Sequence, residues 1–126
     1  MTSAILEHRH GVAVLVCAPD GPPLRTEGDA TDLIGDALGQ GADVVLVPVS
    51  RLADEFFALR TGLAGAIVQK FVNYRLRLAI VGDISAHVEQ SAALRDFVYE
   101  TNRGNQLWFL ATPEELDAKL LRRSTQ

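Results

Sequence analysis

Apolar runs and polar breaks alternate along this chain in a way that predicts strands separated by helices. Ala4 to Arg9 mixes apolar and polar residues, and Val12 to Cys17 is apolar throughout. The His10-Gly11 doublet between them predicts a hairpin. The strongest break follows at Pro19-Asp20-Gly21-Pro22-Pro23, a turn inside the domain rather than a linker. Thr26-Glu27-Gly28-Asp29 then has the form of a helix start, with Thr26 as cap and acids in the first turn. That helix carries Leu33, Ile34, Ala37 and Leu38 and ends at Gly39 and Gly41.

Val44-Val45-Leu46-Val47 is an uninterrupted apolar run, and Leu76 to Val81 is apolar except at Arg77. Only cover on both faces explains such runs, so they are expected as adjacent central parallel strands. Between them Ser50 can cap a short helix over Leu52 to Leu59. A longer helix from Thr61 to Tyr74 places Leu63, Ile67 and Phe71 at four-residue spacing. A helix from about Ser91 to Asn102 turns Leu94, Phe97 and Val98 inward, and Leu107 to Leu110 is the last strand. Thr112-Pro113-Glu114-Glu115 predicts a final helix, with Thr112 capping and Glu115 reaching back to the cap. The expected fold is one α/β domain over residues 1–126, with a mixed, mainly parallel sheet of about five strands, an N-terminal hairpin and about four helices.

Composition narrows the class. A chain of 126 residues with 48% hydrophobic content can bury a core without staples. A net charge of −4, from 12 basic and 16 acidic residues, gives no footprint for nucleic acid. The single cysteine, Cys17, excludes an internal disulfide and is expected as a small buried residue. The N-terminal residues lack the form of a signal peptide, and no stretch has the length of a membrane span. The expected compartment is the cytoplasm, with no membrane and no nucleic acid as partner.

Candidate chemistry gathers in three places. Asp83, Ser85 and His87 follow a buried strand, where ligands bind in open α/β sheets. They name the parts of a hydrolase triad but crowd into five residues, and no Gly-x-Ser-x-Gly elbow accompanies them. His8 and His10 fall on one face of the first strand but lack a third ligand, so no metal is expected, and no cofactor either. The third place is the start of the Thr61 helix. Gly62 and Gly65 lower helix propensity there, which close approach of a partner, an anion or the sheet would offset. Arg60 adds a fixed cation beside them.

Arg60-Thr61-Gly62-Leu63-Ala64-Gly65, Val68-Gln69-Lys70-Phe71-Val72-Asn73-Tyr74-Arg75 and Ala79-Ile80-Val81-Gly82-Asp83-Ile84-Ser85 resemble a bacterial family catalogued as domain of unknown function four-one-eight-zero. That resemblance implies no activity. The order of elements also resembles the domain shared by sulfate transporters and anti-sigma-factor antagonists. Those proteins set a phosphorylatable serine before Gly-Leu at a helix start, a place held here by Thr61-Gly62-Leu63, while Leu59-Arg60 departs from their acidic-serine pair.

Two readings of function follow. One is a regulatory or binding module acting through protein contacts, with Arg60, Thr61 and Gly62 as its surface. The other is a small enzyme or small-molecule binder with a pocket built from Arg60, Asn73, Arg75, Asp83 and His87. A protein partner is expected and a homodimer is left open. Without an elbow, metal set or phosphate loop, the purified protein is expected to hydrolyse no generic ester, phosphate or peptide substrate. Turnover that disappears in His87→Ala or Asp83→Asn would establish the enzyme reading.

Overall fold

The computed structural model describes residues 4–124; residues 1–3 and 125–126 of the expected domain lie outside the described residues. The hairpin forms as expected from β1 (Ala4–Arg9) and β2 (Val12–Cys17), paired antiparallel with Arg9 opposite Val12. His10 and Gly11 have φ of 53° and 80°, a two-residue turn whose twist matches the strands it joins. The chain continues through α1 (Glu27–Gly39), β3 (Val44–Pro48), α2 (Asp54–Phe57), α3 (Leu63–Asn73), β4 (Arg77–Val81), α4 (Ser85–Gln90), α5 (Ala92–Asn102), β5 (Leu107–Leu110) and α6 (Glu114–Ser124). Among the described residues the five strands form one sheet in sequence order, with β2, β3, β4 and β5 parallel. The two apolar runs, β3 and β4, are adjacent and central.

Two cores sandwich the sheet. On the first face Leu15, Val45, Leu78, Ile80, Leu107 and Phe109 meet Leu33 and Ile34 of α1, Ile67 and Phe71 of α3, and Leu94 of α5. On the second, Val14, Val44, Leu46, Ala79 and Trp108 meet Leu116 and Leu120 of α6. Cover on both faces is why the central strands read as continuous apolar runs. Cys17 is buried, and burial pushes its thiol above the usual range.

Local chemistry sets the boundaries. Thr26 accepts from the Asp29 amide at 3.1 Å while Asp29 accepts from the Thr26 amide at 3.0 Å, a complete capping box. Hydrogen bonds from the Arg25 and Thr26 amides hold the Asp29 carboxyl below its usual range. Ser91 caps α5 by accepting from the Leu94 amide at 3.1 Å. Three expectations change in detail. The helix over Leu52 to Leu59 is instead the four-residue α2 between two 3-10 turns, Val49–Arg51 and Leu59–Thr61. An additional helix, α4, occupies what reads as loop, because Asp83 accepts from the Ser85 amide at 2.9 Å and starts a turn there. At α6, Glu115 reaches back to the Ala111 amide, at 3.2 Å, rather than to Thr112.

The loop after β2 is fastened by a residue without a sequence signature. Arg51 is only 7% exposed. Its Nε donates to the Pro22 carbonyl at 2.9 Å and its Nη1 to the Ala18 carbonyl at 3.4 Å. Its own carbonyl accepts from the Leu24 amide at 2.6 Å, and Leu24 joins the core. Arg51→Met keeps the apolar stem but deprives two carbonyls of their donor, so a loss of about 2–4 kcal/mol is expected by urea denaturation. An unchanged midpoint would show that the loop holds itself.

Candidate functional site

The carboxyl ends of β2, β3, β4 and β5 all point to one side of the molecule, and their loops gather there. In open α/β sheets ligands occupy the crevice where neighbouring crossovers depart to opposite faces. Here α1, α3 and α5 all pack on the first face, so no such crevice opens. A groove of about 630 Å³ forms instead beside the sheet, between the segment 54–60 and the α4–α5 corner. Asp54, Phe57, Leu59 and Arg60 line one wall, and His87, Gln90, Ser91 and Ala93 the other.

Two aromatics hold this arrangement. Phe56 and Phe57 are almost fully buried, with ring centroids 5.5 Å apart and edge to face. They pull the short α2 onto the core and leave Arg60 exposed at the rim. The His87 ring stacks on Phe57, 4.1 Å between centroids and 12° from parallel. That contact joins the two walls. Ser91 spends its hydroxyl on the Leu94 amide, and Ser91 and Ala93 bring the start of α5 to the wall of the groove. The positive end of the α5 dipole, Arg60 and His87 thus converge on one space.

The other candidates fall in different places. Thr61 Oγ1 lies 2.8 Å from the Ala58 carbonyl and 2.9 Å from the Glu55 carbonyl, and accepts from the Leu63 amide at 3.2 Å. It fastens the entry to α3 next to the groove. Asp83 is exposed in the turn before α4, where hydrogen bonds from Ser85 hold its carboxyl below the usual range. Asn73 and Arg75 sit at the far end of α3, about 16 Å from its start for a helix of 11 residues. Asn73 accepts from Gln69 Nε2 at 2.9 Å, and Arg75 turns the chain with φ of 60°. Arg60 and His87 therefore share a groove, and Asn73 and Arg75 belong to the opposite pole. His10 lies in the hairpin turn with Nε2 3.4 Å from Asp117. Among the described residues no group of three or more His, Cys, Asp or Glu side chains is placed to hold a metal.

Phe57, Asp54 and Gln90 escaped the sequence reading. The adjacent Phe56-Phe57 pair could have marked an anchored segment, since two neighbouring aromatics demand burial. No periodicity, however, announces a ring contact across 30 positions.

The glycines of α3 have explanations other than close approach. Gly62 precedes the helix with φ of 77°, a conformation that disfavours a side chain. Gly65 lies inside the helix, and a Cβ added there meets nothing within 4 Å. Gly62→Ala is therefore expected to destabilise by about 1 kcal/mol and Gly65→Ala to stabilise by about 0.5–1 kcal/mol. Thermal unfolding of both variants checks the signs, and a destabilised Gly65→Ala would restore the packing explanation.

No curated protein and no solved structure matches this chain. A family model described as Domain of unknown function (DUF4180) matches residues 9–120. The match takes in the hairpin turn, the Arg51 clamp, both walls of the groove and most of α6, and the chain belongs to that family.

Proposed function

We propose that the protein is a binding module acting through protein contacts, and that it docks an acidic segment of its partner in the groove between Arg60 and His87. One observation carries this reading: a fixed cation, an imidazole and the open N-terminus of an eleven-residue helix face the same groove. The guanidinium and the helix end each favour negative charge, and together they favour it more than either alone. The apolar floor of Phe57, Ala58, Leu59 and Ala86 supplies area for the aliphatic parts of an extended peptide. Asp54 at the edge works against a highly charged ligand and toward one acidic group placed near Arg60.

The enzyme reading asks five residues to converge, and the length of α3 keeps Asn73 and Arg75 from Arg60 and His87. The hydroxyls nearest the groove, on Thr61 and Ser91, are committed to the backbone. Switching by phosphorylation at Thr61 would first have to release the turn that its hydroxyl fastens.

Titration of isotope-labelled protein with a capped apolar hexapeptide carrying one central glutamate tests the proposal. The expected result is a salt-sensitive shift of amides in 54–60 and 86–93, with Arg60→Glu weakening binding about tenfold, or 1.4 kcal/mol. The same peptide with lysine in place of the glutamate is expected to leave those amides unmoved. Shifts confined to other surfaces, or equal affinity in Arg60→Glu, would refute it.

A further inference from the structure

The two edges of the sheet are treated differently. β5 ends it on one side, and there Asn102 closes the edge: its Oδ1 accepts from the Phe109 amide at 2.7 Å and its Nδ2 donates to the Phe109 carbonyl at 3.2 Å. β1 ends it on the other side. The two-residue turn makes Arg9 and Val12 a hydrogen-bonded pair, as are Glu7 with Val14 and Ile5 with Val16. The amides and carbonyls of Ala4, Leu6 and His8 therefore point away from β2. Ile5, beside them, is 70% exposed, the most exposed large apolar residue described.

We propose that the chain pairs with a second copy of itself along the outer edge of β1, antiparallel about a two-fold axis at Leu6, to make one continuous sheet. The backbone selects this register. Only even-numbered residues point outward, so they must face one another. Pairing Leu6 with the partner's His8 sets Glu7 directly against the partner's Glu7, a like-charge contact. Pairing His8 with the partner's His8 confines the contact to residues 7–9, because the chain turns at His10, and pairing Leu6 with the partner's Ala4 carries the partner's His8 away from Ala4 and the aspartates beside it. Pairing Leu6 with the partner's Leu6 engages residues 4–8 in about six backbone hydrogen bonds. It also sets Ile5 diagonal to the partner's Ile5 on the second face.

Charge complementarity points the same way. On the first face, a hollow of about 130 Å³ beside Ala4 is lined by Asp29, Asp32 and Asp36 of α1 and by the buried Arg51, whose guanidinium is committed to the Pro22 and Ala18 carbonyls. This register puts the partner's His8 opposite Ala4, so an imidazole N–H enters that acidic row. The charges β1 itself carries do not repel the approach. Arg9 is held in its own chain by Glu7 at 3.1 Å and Asp117 at 3.3 Å, both on the second face.

The test is light scattering of the full chain during gel filtration at about 100 μM, since an edge contact of this size supports micromolar affinity. The expected mass is twice that of the 13.7 kDa chain, with His8→Asp weakening the dimer about tenfold. A monomer at that concentration overturns the proposal. Oxidised Leu6→Cys is expected to form a disulfide across the axis, where facing α-carbons are about 5.5 Å apart, and Glu7→Cys is not. A folded dimer of Leu6→Cys that fails to cross-link overturns the register. The unaltered chain gives a reading free of any folding defect. Exchange of the Leu6 and His8 amides is expected to quicken on dilution, and rates independent of concentration would refute the pairing.

Discussion

Strand order 2-3-4-5 sends every crossover helix to the same face of the sheet, and the other features of the molecule accommodate that constraint. Three helices crowd the first face and build the larger core around Ile67, Phe71 and Leu78. The second face is left to α6, whose Leu116 and Leu120 seal a smaller core against Trp108 and Leu46. Had one crossover gone to the other face, a crevice would open between diverging loops. Because none does, the concave surface comes from how the loops themselves are anchored.

Those anchors are few and specific. Phe56 and Phe57 pin the segment after β3, Arg51 pins the loop after β2, and Gly82 lets the turn after β4 pass close to Val49 at the start of the segment after β3. Gly82 has φ of 141°, and a Cβ there would lie 2.8 Å from the Val49 side chain. Only glycine allows that approach. The His87 ring then reaches Phe57, and the corner between α4 and α5 closes the groove from the second wall. The groove's polar character, with Arg60 at the rim and the start of α5 in the second wall, follows from this positioning.

Much of the fold was legible because burial writes itself into periodicity. The runs Val44–Val47 and Leu76–Val81 announced two-sided cover, and Thr26 with Asp29 announced a helix start that the structure completes. α4 was not legible because six residues are too few for a helical period to show. The α6 start shifted because the Glu115 side chain found the Ala111 amide rather than the one beside it. At the site, Arg60 stood out as a cation at the start of a helix and His87 as a polar group after a buried strand. Their shared groove did not, since it depends on the Phe57 contact, which only the tertiary fold brings about. Asn73 and Arg75 looked like neighbours of Asp83 because they are close in sequence. The rise of α3 carries them to the other pole.

Hydrogen exchange at the Ala92 and Ala93 amides tests the central claim most directly, because these first amides of α5 have no helical partner of their own. With a saturating acidic peptide, exchange is expected to slow at both and to stay unchanged at Asn73 and Arg75. Slowing at the Asn73 and Arg75 pole, with Ala92 and Ala93 unaffected, would contradict it.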